Sequence, residues 1–153
     1  MAEPSNATEG NLRFASLACP GLPPDMRAVT QEVIALVGAQ DGIETYGPPA
    51  AIIDLAPDDH DPATWRCQVG TALIGQAKPA APLLVEDYRG LQALSLPHVD
   101  ARGSLRDTWQ RLADHARAMG WLLRPYWRIS LPTTRSADGH LVPECQVSVF
   151  LDR

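Results

Sequence analysis

The sharpest pattern in the chain lies near its C-terminal end. From Glu144 to Leu151 the positions alternate strictly, with Cys145, Val147, Val149 and Leu151 on one side and Glu144, Gln146, Ser148 and Phe150 on the other. A period of two predicts a strand with two distinct faces. Upstream, Leu105, Trp109, Leu112, Ala113, Ala116 and Met119 recur at helical spacing. Ser104 with Asp107 three residues on is a capping-box signature, and Gly120 supplies the helix stop. Tyr126–Leu131 reads as the strand before the last, with the turn signal Asp138-Gly139 between the two.

The N-terminal half gives the same series. Asn11–Cys19 reads as a strand, broken by Pro20-Gly21. Asp25 is positioned to cap a helix running to about Gln40, with Met26, Val29, Val33, Ile34 and Val37 as its apolar face. Asp41-Gly42 ends it, and strands follow over Ala50–Leu55 and Trp65–Ile74. Gly75–Pro82 is a linker of small residues and proline. Leu83–Asp87 and Leu91–Leu96 then form an extended stretch with a bend or bulge at Arg89-Gly90.

Both halves thus read strand–helix–strand–strand, and one interval relates them. Seventy-eight residues separate Gly42 from Gly120, and the same interval separates Cys67-Gln68-Val69 from Cys145-Gln146-Val147. This points to an internal duplication. The expected fold is α+β, with two βαββ units about a pseudo-two-fold axis and two helices packed on a shared antiparallel sheet. The expected layout is a disordered leader over 1–10 and a single domain over 11–153, its first unit 11–75 and its second 83–151. The groove between the helices, and so between the repeats, is the expected ligand site.

Composition narrows the function classes. The chain has 153 residues, 45% of them apolar, enough for one domain with a full core. A net charge of −5 argues against direct nucleic-acid binding, which needs a basic surface. No apolar run is long enough to cross a membrane, and the polar N-terminus lacks the apolar stretch of a secretory signal. Cys19, Cys67 and Cys145 have no CxxC spacing, so reduced cysteines in a cytoplasmic protein are expected. The acidic run Asp58-Asp59-His60-Asp61 reads as a solvated turn, and neither metal nor cofactor is expected.

A duplicated βαββ chain of this size resembles the GyrI-like family, the effector-binding domain also found fused to AraC-type and MerR-type regulators. Thr108-Trp109-Gln110-Arg111-Leu112 resembles the family's Trp-centred helix motif, and Glu144-Cys145-Gln146-Val147-Ser148-Val149 its Glu-led last strand. Gly42-Ile43-Glu44 followed by Gly47-Pro48-Pro49 is similar to its helix exit and strand entry. The resemblance covers residues 11–151. The chain departs from it at Arg128-Ile129-Ser130, where the family has Glu-x-Tyr, at His115, near a second helix aromatic, and at Ser148, where proline is common.

The resemblance implies a stand-alone protein that takes a lipophilic, often cationic, aromatic compound, with Glu144 at the base of an aromatic pocket. A carboxylate in an apolar pocket is costly unless paired, and a cationic ligand relieves that cost while aromatic faces add roughly 0.5–2 kcal/mol each. The candidate ligand-binding residues are Glu144, Trp109, Trp127, Tyr126, Trp65 and His115. Each has a plain reading beside this one: Glu144 as a solvated strand residue, the tryptophans as core, His115 as a surface histidine. Arg128 could instead pair with Glu144 and neutralise it. Two alternatives stay open. One is a hydrolase of strained-ring alkylating natural products, with Glu144 as general base and His115 beside it; the other is a protein-interaction, gyrase-protecting module.

Overall fold

Helix α1 (Met26–Gly38) starts where Asp25 accepts a hydrogen bond from the Ala28 N–H, and buries Met26, Thr30, Val33 and Val37. Helix α2 (Leu105–Ala118) is secured at both ends. Ser104 and Asp107 exchange the two bonds of a capping box. At the far end Gly120, at φ +75°, lets its own N–H reach the Arg117 carbonyl and the Trp121 N–H reach that of Ala116, the two bonds of a Schellman stop. Thr108, Leu112, Ala113 and Ala116 are buried, whereas Met119, expected on the stripe, is the exposed C-cap residue.

The computed structural model describes residues 3–39, 43–54, 56–57, 61–75, 81–99, 104–131 and 145–152. Its strands are β1 (Ser5–Cys19), β2 (Glu44–Ile53), β3 (Cys67–Ile74), β4 (Leu84–His98), β5 (Leu122–Ser130) and β6 (Cys145–Asp152). They close into an antiparallel barrel in the order β1-β3-β2-β5-β6-β4. Exchanging β1 with β4, β2 with β5 and β3 with β6 returns the same ring, so the pairing is two-fold symmetric as the duplication predicts. The interval of 78 carries β3 onto β6 and the first residue of β2 onto that of β5, while β1 and β4 are offset by 79.

One expectation is corrected. The stretch read as a disordered leader is strand from Ser5 onward, paired with residues 91–95 of β4. Its run of Ser, Asn, Thr and Glu hid the strand because between Ser5 and Gly10 it pairs only with β4, so one edge faces solvent and polar side chains are tolerated there.

Strand alternation sorts the side chains into three layers. Odd positions of β6 join Trp65, Leu94, Leu96, Trp127 and Ile129 beneath α2. Ala15, Leu73 and Leu83 pack with Val33 and Val37 of α1. Phe14, Ala50, Ile52, Leu91, Ala93 and Phe150 fill the barrel interior, linked through Leu12, Tyr88 and Tyr126. Burial of each large apolar side chain contributes about 1.5–3 kcal/mol. Both helices therefore sit outside the barrel, and the concave side of the sheet faces inward.

Candidate functional site

Two backbone irregularities open the interior at one end. In β1 the register with β4 shifts on both sides of Gly10, which sits at φ +73°. The bulge changes which residues point inward: Leu12 and Phe14 face the interior on one side of it, while Glu9 does so on the other. In β2 the register with β3 breaks between Tyr46 and Ala50, across Gly47 (φ +79°) and two prolines that cannot donate to a ladder. Between these bulges lies a cavity of about 370 Å³.

Its wall is formed by Leu12, Phe14, Tyr46, Pro48, Ala50 and Ala72, with Asn11, Ser130 and Gln146 as neutral polar groups and Glu9 and Arg128 as the charged pair. Arg128 donates from Nη1 and Nη2 to the two carboxylate oxygens of Glu9, both at 2.7 Å. Nη2 also reaches Ser148 Oγ at 3.3 Å, and the guanidinium carbon lies 5.1 Å from the centre of the Phe150 ring. The Arg128 side chain is 13% exposed and that of Glu9 29%. Bidentate, partly desolvated pairs of this kind are the strong ones. Deeper in, Glu86 accepts from Gln68 at 2.8 Å and from Tyr88 at 2.9 Å. Burial, and then that bond to Glu86, raise the Tyr88 phenol well above its ordinary range.

The residues singled out from the sequence are not gathered in this cavity. Trp127 and Trp65 pack edge to face at 5.7 Å in the core under α2, and half-buried Trp109 packs against the same cluster. Trp109, Tyr126 and Trp127 share a crevice of about 70 Å³, room for little more than a water molecule or two at about 30 Å³ each. Tyr126 turns inward against Tyr88 and Phe150, at 5.1 and 5.4 Å. His115 lies on α2 facing Trp121 at 6.4 Å. Glu144 lies outside the described residues. Arg128, considered as its counter-ion, pairs with Glu9. The groove expected between the helices corresponds to a hollow of about 300 Å³ beside their first turns, lined by Met26, Arg27 and Leu105.

The reading from sequence missed Glu9 as a pocket residue. Its signal was faint: Gly10 interrupts a polar run, and only the bulge reveals which way Glu9 points. Gly47-Pro48, similar in the sequence to a strand entry, lines the cavity together with Tyr46.

No protein-family model and no curated protein matches the sequence. Among solved structures, the chain is similar to the C-terminal domain of EcmrR, with a TM-score of 0.66 at 12% identity over 99% of this chain and 98% of that one. EcmrR in its DNA complex gives 0.67 at 10% identity, and there the chain spans 57% of its counterpart's length. A hydrolase from Listeria innocua gives 0.63 at 9% identity, over 98% and 92% of the two chains. At these identities the shared property is the fold.

Proposed function

We propose that this chain is a small-molecule-binding domain and that its ligand, a lipophilic aromatic compound, enters the cavity between the β1 and β2 bulges. The observation that carries the reading is the cavity itself. It has ligand-sized volume, a largely apolar wall and one convergent charged pair, the combination that distinguishes a binding site from a packing defect. The fold is shared with the C-terminal domain of EcmrR, part of a chain seen in a DNA complex, and this reading places a ligand in the barrel of that fold.

The hydrolytic alternative needs a carboxylate free to take a proton from water. Both oxygens of Glu9 are engaged by Arg128, and His115, the partner expected beside Glu144, sits on the helix outside the barrel. Glu144 remains a proposed second carboxylate of the site. A thermal-shift screen of flat aromatic compounds, cationic, neutral and anionic, tests the binding reading. Stabilisation that disappears in Ala72→Phe, which fills the cavity, supports it; no shift with any compound rejects it. Glu144→Gln in the same screen shows whether that residue contributes.

A further inference from the structure

We infer that the cavity selects a ligand carrying a carboxylate on an apolar, aromatic body, with Arg128 as the fixed cation and Glu9 as an internal carboxylate that the ligand displaces. The inference rests on the binding reading above and specifies its ligand class.

The argument turns on which partner of the ion pair can move. Arg128 stands in mid-strand, paired on one side with Ile52 and on the other with Ser148. Its guanidinium is backed by the Phe150 ring and tied to Ser148 Oγ. Moving it would expose Phe150, one of the most deeply buried side chains. Glu9 is held differently. It projects from a bulge next to a glycine, on a part of β1 that pairs with β4 alone, because pairing with β3 begins only at Phe14. Among the described residues its carboxylate has Arg128 as its hydrogen-bond partner, and its side chain is about twice as exposed as that of Arg128.

If Glu9 swings out, it returns to water at little cost, since a charged group at an open edge is readily solvated. The guanidinium left behind is desolvated and unpaired, and an uncompensated buried charge is strongly unfavourable. A planar carboxylate restores the same two-point pairing. The other polar groups on the wall, Asn11, Ser130 and Gln146, are uncharged and add no competing field. An ammonium group entering the same space would have to displace Arg128 from both Phe150 and Glu9, moving the better-anchored partner. Arg128 itself already occupies the cation position on the aromatic face.

Isothermal titration of the full chain with three matched probes on a naphthalene scaffold, 2-naphthoate, 2-naphthamide and 2-naphthylmethylammonium, and with the equivalent biphenyl set, tests this. The wild-type chain should bind the carboxylates at least tenfold more tightly than the amides. Glu9→Gln should tighten carboxylate binding about tenfold further, because nothing charged has to be displaced. Arg128→Gln should abolish the preference, and Arg128→Lys should retain only part of it; circular dichroism establishes that each variant is folded. If Arg128→Gln does not fold, the Glu9→Gln titration decides alone. Tighter binding of the ammonium probes, or a carboxylate preference unchanged in the folded Arg128 or Glu9 variants, overturns the inference while leaving the binding reading intact. Absence of binding by all six probes overturns the carboxylate inference, and the broader thermal-shift screen then decides whether the binding reading falls with it.

Discussion

Gly70 shows how little freedom some residues of the barrel have. It lies in β3 opposite Ser16 on one side and Ala50 on the other. A methyl group there would sit 1.8 Å from the carbonyl oxygen of Ala15 and 2.8 Å from its carbon. The obstruction is backbone, so no rotamer change relieves it. Gly70→Ala should cost more than about 4 kcal/mol, the range of exceptional single substitutions, and urea denaturation should find the protein unfolded or nearly so. Near-wild-type stability would show that β1 and β3 can separate at this point. Arg128 is the other residue on which much depends, and its role became readable only with its surroundings. In the sequence it was a departure from a family pattern and a possible partner for Glu144; in the fold it meets Glu9, 119 positions away.

Among the elements, α2 is the one whose construction the sequence states most fully. Both capping-box residues and the Gly120 stop were legible because helix-end chemistry is local, decided within four residues. Ser104→Ala should therefore destabilise by about 1 kcal/mol, seen as a melting temperature lower by roughly 2–4 °C for a chain of this length; an unchanged value would mean that tertiary packing holds the first turn. The β6 alternation was equally legible, since its odd positions all meet α2 and its even positions face inward. In β1 the part from Asn11 to Cys19 was legible and the part before it was not, because the facing of residues 5–9 is set by a bulge that depends on pairing with β4, about 80 residues away. Gly10→Ala would put a side chain at φ +73° and should cost about 1–2 kcal/mol; an unchanged melting temperature would show that the bulge does not need glycine.

At the scale of the whole molecule, the interior couples stability to pH. Burial first, and then the neighbouring Cys19, push the Cys67 thiol from 9.0 up to about 12, and the Tyr88 phenol is raised above 10.0 chiefly by burial. Both groups hold their protons more tightly folded than unfolded. Their contribution is complete below about pH 9 and is lost as pH climbs through the unfolded values toward the folded ones. The urea midpoint should be level from pH 7 to about 8.5 and fall above 9, with Tyr88→Phe showing a shallower decline. A midpoint that rises with pH in that window would show that these groups are accessible to water in the native state.

The repeat also bears on stoichiometry. A two-fold scaffold would ordinarily offer two equivalent sites, yet the interval that relates the halves places Phe150 where the cavity has Ala72, Ile52 where it has Ser130, and Tyr126 where it has Pro48. The twin of the cavity is thus already occupied by side chains, and Arg128 has Ala50 as its counterpart rather than a second cation. One ligand per chain is the expected ratio in a calorimetric titration. Phe150→Ala, at a cost of about 3–5 kcal/mol, should begin to reopen the twin and raise that ratio above one.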